Sequence, residues 1–223
     1  MVARESRGPI AVSDAEVGSI RIEPPRSVAT LVVAHGAGAG IEHPFLAGFC
    51  QAMGEAGIAT LRFNFLYLER GRRSPDPERL LREAWLAAFE DASRRSKGRP
   101  VLAGGKSLGG RIASMCVADG MPAAGLVFLG YPLHPPGKPD RLRAEHLSRI
   151  QVPMLFLQGT RDPFAQPDLL EGVIGALDQA TLVPVEGGDH SFRVRGQKAD
   201  DRAIGAALAG TAAPWVRDVV GAG

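Results

Sequence analysis

Gly105-Lys106-Ser107-Leu108-Gly109-Gly110 follows the apolar run Val101-Leu102-Ala103 and precedes a helical stretch. In that setting a G-x-S-x-G pentapeptide forms a tight strand-to-helix turn with serine at its tip. Such a turn drives the serine to positive φ and lifts its hydroxyl above a sheet. It also aims the N–H of Leu108, at a helix N-terminus, toward an anion developing beside the serine. The chemistry these residues suit is nucleophilic attack on a carbonyl. A rival reading takes Gly105-Lys106-Ser107 as the end of a phosphate-binding G-x-x-x-x-G-K-[ST] loop. That loop needs glycine where Pro100 stands and loop residues where Val101 to Ala103 read as strand. A glycine-rich turn without chemistry is the other alternative, and the partners of Ser107 decide against or for it.

A serine hydroxyl is a poor nucleophile near neutral pH, so it needs a base within hydrogen-bond reach and a third group to orient that base. Among the five histidines, His190 is best placed, after the last β-type run and two glycines. His146 falls within a helical pattern and reads as a surface residue. His134, on a strand-end loop, is a competitor for the base, a substrate contact, or a packing residue. For the acid, Asp162 directly follows a β-type run. Asp168 and Asp189 remain alternatives, the first inside the next helix and the second adjacent to His190. For the oxyanion, the glycines of His35-Gly36-Ala37-Gly38-Ala39-Gly40 let backbone approach substrate, with the N–H of Ala37 as the second donor and Gly38 as its alternative. A dinucleotide-binding reading of this segment fails, since G-x-G-x-x-G requires glycine where Ile41 stands. The stretch Leu66 to Pro77 carries Tyr67, Arg70, Arg72 and Arg73. Tyr67 and Arg70 are candidate substrate contacts, one guanidinium holding a carboxylate or phosphate, against the reading of a solvated surface loop. Lys106 reads as a structural or pocket-wall residue.

The elements that position these residues alternate in type. An N-terminal hairpin is expected from Ile10–Val12 and Ser19–Ile22, with Asp14 and Gly18 in its connection. Buried β-type runs follow at 29–34, 59–65, 100–103, 125–129, 154–158 and 181–185. Strands without polar alternation suit a mostly parallel sheet covered by helices on both faces. One helix is expected after Asp76 as cap and Pro77 as first residue, with Leu80, Leu81, Ala84, Trp85, Ala88, Phe89 and Ala92 on one face. Others are expected at 43–55, 107–118, 140–147, 167–177 and 201–209, the last continuing near Trp215. Ser107, Asp162 and His190 all then follow strand carboxyl ends, where loops converge over one crevice. Few residues separate Leu129 from Met154, and they include Pro132, Pro135, Pro136 and Pro139, so a large cap does not fit and an open site is expected.

Length and composition bound the rest. With 223 residues and 45% hydrophobic content, the chain suits one domain spanning residues 1–223. Basic and acidic residues number 26 and 24, for a net charge of +2, so no field argues for nucleic acid. Cys50 and Cys116 fall in helical patterns at core positions and indicate neither a disulfide framework nor a metal site. No apolar segment approaches a membrane span and no signal-type apolar region follows the charged start, so a cytoplasmic location, no membrane partner, and a monomer or small homo-oligomer are expected.

Taken together, His35-Gly36-Ala37-Gly38, Arg62-Phe63-Asn64-Phe65, Gly104 to Arg111, Gly130 to Gly137, Gln158 to Asp162 and Gly188-Asp189-His190 resemble the motifs of small α/β-hydrolases of the dienelactone-hydrolase-like kind, in particular the KANL/Tex-type branch. The resemblance spans about positions 31 to 192. It implies an α/β-hydrolase fold with a minimal lid or none, Ser107, Asp162 and His190 on the triad positions, and no cofactor. It fixes no substrate; the triad chemistry itself suits a serine hydrolase acting on an ester or related acyl bond of a small molecule. The alternative is a non-catalytic binding or scaffold protein retaining that fold. True dienelactone hydrolases carry cysteine where this chain has Ser107.

Overall fold

In the computed structural model, which describes residues 3–221, the β-type runs become eight strands: β1 (Arg4–Val12), β2 (Ala15–Glu23), β3 (Ala29–Ala34), β4 (Ile58–Phe63), β5 (Val101–Lys106), β6 (Leu126–Leu129), β7 (Met154–Gly159) and β8 (Ala180–Val185). They form one sheet in the order β1-β2-β4-β3-β5-β6-β7-β8. β1 and β2 pair antiparallel, β2 lies antiparallel to β4, and β3 through β8 run parallel. Apart from Lys106, every residue of β3 to β7 is buried, as a sheet covered on both faces requires.

Strand alternation divides the core between those faces. Val32 and Ala34 point to one side, with Trp85, Phe89, Ile112 and Leu170 from α3 (Glu78–Arg95), α4 (Leu108–Ala118) and α5 (Pro167–Gly175). Leu31 and Val33 point to the other, with Phe49, Met53, Leu208 and Ala212 from α1 (Pro44–Glu55) and α6 (Asp201–Val219). A four-residue α2 (Leu66–Glu69) follows β4. A buried ion pair, Arg21 to Asp91 at 2.6 Å, ties the N-terminal hairpin to α3. Among the described residues no helix is long and apolar enough to cross a membrane.

Several expectations need correction. The hairpin is longer than its apolar residues suggest, because its polar outer positions still pair along nine residues of each strand, and Gly18 lies inside β2. Its connection is Ser13-Asp14, with Ser13 at φ 53°. Asp76 does not cap α3; Pro77 occupies the cap, and the Asp76 side chain turns inward to an ion pair with Arg72 at 3.1 Å. The helix expected at 140–147 is reduced to a 3₁₀ turn, Glu145–Arg149, since the prolines before it leave few residues for a regular element. His146 is half-buried there and its Nε2 lies 2.7 Å from Ser114 Oγ. α6 runs unbroken through Pro214, because Leu208, Ala212, Ala213 and Val216 keep one continuous face buried on the sheet.

The strand order reverses direction at β3, whose successor β4 lies on one side and β5 on the other. Loops leaving β3 and β5 therefore diverge and open a crevice above the sheet's carboxyl edge. His35 to Gly40 and Ser107 stand on its two sides.

Candidate active site

Ser107 occupies the cap between β5 and α4 with φ 50° and ψ −115°, a conformation L-residues adopt only where packing enforces it. The enforcement comes from below. A Cβ on Gly109 would sit 2.4 Å from the Ala34 carbonyl oxygen and 2.7 Å from that of His35, so α4 starts in direct contact with the end of β3. The Ser107 N–H donates to Leu129 O at 3.2 Å, fixing the turn against β6.

His190 Nε2 lies 2.9 Å from Ser107 Oγ, and its Nδ1 lies 2.7 Å from Asp162 Oδ2. An ionised carboxylate only accepts, so Nδ1 carries the proton and Nε2 is free to accept from the hydroxyl. The Asp162 side chain is fully buried. Its Oδ2 also accepts from Gln158 Nε2 at 2.6 Å and its Oδ1 from the Phe164 N–H at 2.8 Å, which compensates the buried charge. Gln158 in turn accepts from the Tyr131 N–H at 2.7 Å, linking the ends of β6 and β7. The Phe164 ring packs on His190 with centroids 4.3 Å apart. The competing acids are placed elsewhere. Asp189 Oδ1 accepts from the N–H groups of Ser191 and Arg193, closing the turn that carries His190, and Asp168 is exposed in the first turn of α5.

The segment after β3 is clamped by residues of β4, α2 and the link between them. Arg62 Nε donates to Ile41 O at 2.8 Å, while the Ile41 N–H donates to Asn64 Oδ1 at 3.0 Å. His35 is fully buried, with Nδ1 donating to Gly36 O at 2.8 Å and Nε2 accepting from the Phe65 N–H at 3.2 Å. Burial lowers the pKa of His35 to about 4, so it is neutral at pH 7. The Gly38 N–H donates to the Tyr67 hydroxyl at 3.3 Å. That bond engages the Gly38 N–H, whereas Ala37 lines the cleft beside Ser107 and Leu108.

Beside Ser107, the stem of Lys106 runs along the cleft while its Nζ is buried and without a hydrogen-bond partner. Burial lowers its pKa to about 8, against the opposing pull of Asp162 and Asp189. Nζ, Asp162 Oδ2 and the His190 carbonyl oxygen converge on Gly130, at 3.2, 3.6 and 3.6 Å from where a Cβ would stand. Nζ also lies 5.6 Å from the centroid of the Phe192 ring.

Above Ser107 is a cleft of about 450 Å³, with Phe45 and Leu46 on the α1 side and Pro132 and Phe164 opposite. The 130–153 segment contributes Pro132 and Arg143 to its wall, and the 3₁₀ turn that it carries does not line the cleft. Three expected substrate contacts do not reach this cleft. His134 is buried with Nδ1 3.0 Å from Pro135 O and Nε2 accepting from the Gln166 N–H at 3.0 Å, so it ties two loops together. Tyr67 is buried beneath the Gly38 turn. Arg70 is exposed at the end of α2, and Arg72 is engaged with Asp76, because the short α2 carries this run away from the crevice until Pro75 returns to its rim. Besides Lys106, the basic side chains that do line the cleft are the arginines Arg111, Arg143 and Arg193. Sequence spacing flags Arg111, four residues after Ser107 on the same helix face; nothing local flags Arg143, which an irregular segment delivers.

Residues 27–214 match the model of a family described as an alpha/beta hydrolase domain. Among solved structures, the chain is similar to a dienelactone hydrolase from Anabaena variabilis, at 21% identity and TM-score 0.78 over 98% of this chain and 99% of that one. It is also similar to a serine hydrolase without lid from Xanthomonas campestris, at 20% identity and TM-score 0.77 over 97% and 95%. The esterase domain of a Rhodothermus marinus protein superposes with TM-score 0.71 at 16% identity, over 95% and 98%.

Proposed function

Since the chain belongs to the alpha/beta hydrolase domain family, we propose that it is a serine hydrolase cleaving an ester or related acyl bond of a small-molecule substrate. The observation that carries this reading is His190 bridging Ser107 Oγ at 2.9 Å and Asp162 Oδ2 at 2.7 Å, with the serine held at φ 50°.

Ser107 Oγ attacks the carbonyl carbon as its proton passes to His190 Nε2. Asp162 keeps Nδ1 protonated and stabilises the imidazolium. The carbonyl oxygen becomes an oxyanion between the N–H groups of Leu108, at the start of α4, and Ala37, and one such donor typically contributes about 2.7 to 4 kcal/mol of transition-state stabilisation. Collapse expels the alcohol, which takes the proton back from His190. A water then repeats the cycle: His190 accepts its proton, its oxygen attacks the acyl carbon, and the proton returns to Ser107 as the acid leaves. The open cleft and its apolar walls suit short acyl groups.

Labelling with a fluorophosphonate probe tests the assignment. Wild-type protein should be labelled, and Ser107→Ala and His190→Ala should not. Folded wild-type protein that stays unlabelled, or Ser107→Ala labelled at the wild-type rate, overturns it in favour of a scaffold that merely keeps the fold.

A further inference from the structure

We propose that Arg111 and Arg143 form an anion subsite of the cleft, so that the preferred substrates carry a carboxylate on the acyl group attached to Ser107. This rests on the hydrolase reading above and narrows its substrate class.

Both residues line the same cleft as Ser107. Around them, arginines are matched with acids: Arg82 and Arg149 with Asp119, and Arg193 with Asp201 at 2.7 Å. Arg111 and Arg143 have no such partner among the described residues, and Arg111 Nε is buried without an acceptor. Their proximity is itself unfavourable. Burial and then the charge of Arg111 hold Arg143 below the usual guanidinium range, with no carboxylate acting against them. Two half-buried like charges facing one space lose free energy unless an anion enters between them.

The arrangement is also built rather than loose. Arg143 lies in an irregular run, yet its N–H donates to Leu133 O at 2.7 Å and its carbonyl accepts from the Tyr131 hydroxyl at 2.6 Å. Tyr131 is a buried side chain whose hydroxyl thereby fixes this one loop residue. Arg111 follows Ser107 by one helical turn and donates its N–H to Ser107 O at 3.0 Å, so its side chain leaves α4 on the nucleophile's side. Guanidinium forks match the two oxygens of a carboxylate, and such charge-assisted pairs are stronger than neutral ones. The opposite end of the cleft offers no comparable site, because Asp201 neutralises Arg193 and stands 3.9 Å from His43 Nε2.

The test compares the p-nitrophenyl monoester of glutaric acid with its methyl-capped neutral isostere. Wild type should favour the carboxylated ester in kcat/KM by about tenfold or more, the scale of one charge-assisted hydrogen-bonded pair. In Arg143→Gln and Arg111→Gln that preference should fall toward unity, and Arg143→Lys should recover part of it. Because the ratio is internal to each variant, loss of folded protein cancels. In parallel, calorimetry of monomethyl glutarate on Ser107→Ala should show binding that Arg143→Gln removes. Hydrolysis of both esters without preference overturns the subsite and leaves the hydrolase reading standing. Arginine-dependent binding without turnover of either ester does the reverse. Equal binding by Ser107→Ala with and without Arg143→Gln also overturns the subsite.

Discussion

Replacing Lys106 by methionine should make the protein more stable at neutral pH, although it removes a side chain adjacent to Ser107. The Lys106 ammonium is buried without a hydrogen-bond partner, and burial takes its pKa from 10.5 to about 8. An unfolded chain therefore binds this proton more tightly than the folded one. Below pH 8 the folded state carries the full cost of the buried charge, and the cost fades as pH rises from 8 to 10.5. At about 1.4 kcal/mol per unit, the shift corresponds to about 3 kcal/mol. Methionine keeps an unbranched apolar stem along Gly36 and Phe192 and brings no charge. Urea unfolding at pH 7.5 should place Lys106→Met about 2–3 kcal/mol above wild type, a Tm increase on the order of 5–10 °C for a domain of this size. At pH 10 the gap should shrink to under about 1 kcal/mol. A variant less stable than wild type at pH 7.5, or a gap unchanged at pH 10, refutes the reasoning. If the gap is as expected, the lysine is retained against stability, as residues at functional sites are.

His35 makes a pH signature of the same sign in a lower window. Its pKa of about 4, against 6.5 unfolded, means that stability is full above pH 6.5 and is lost as pH falls toward 4. Wild type should therefore lose about 2 kcal/mol more than His35→Gln between pH 7 and pH 5, read from urea midpoints, and parallel curves count against it. Gly109→Ala forces a Cβ to 2.4 Å from the Ala34 carbonyl oxygen. Overpacking of this kind costs about 1–3 kcal/mol, and parting α4 from the end of β3 should slow fluorophosphonate labelling of Ser107 about a hundredfold, the scale of one lost oxyanion donor. Labelling at the wild-type rate contradicts the geometry.

Much of the architecture is legible because its signals are local. The runs at 29–34 and 154–158 lie within one residue of β3 and β7, since strands buried on both faces leave no polar alternation to blur their ends. α1 and α4 begin within a residue of their expected starts, at Pro44 and Leu108, where proline and the elbow turn mark them. The boundaries missed are those set by neighbours. Asp76 has the side chain of a cap, yet it pairs with Arg72 instead, a neighbour that only the short α2 and its exit bring to it. Pro214 should interrupt a helix, yet the face shared by Ala212, Ala213 and Val216 carries α6 across it.

The site divides in the same way. Ser107, Asp162 and His190 are readable because each lies on the loop leaving a strand's carboxyl end, and chain order with a parallel sheet brings those ends together. The sequence alone thus determined the fold class and the three side chains that meet. It left Asp168 and Asp189 open beside Asp162, and Gly38 beside Ala37, and only the tertiary structure brings Asp162 to His190 while the turn engages Asp189 and the Tyr67 hydroxyl engages the Gly38 N–H. Charge placement around the cleft was likewise beyond the sequence. Arg70 and Arg72 lie in a conspicuous basic run that α2 turns outward, whereas Arg143, isolated in an irregular segment, is carried to the cleft by Tyr131 and Leu133. Periodicity reports which face of an element a residue occupies, but where a loop delivers its side chain depends on hydrogen bonds to residues that folding alone makes its neighbours.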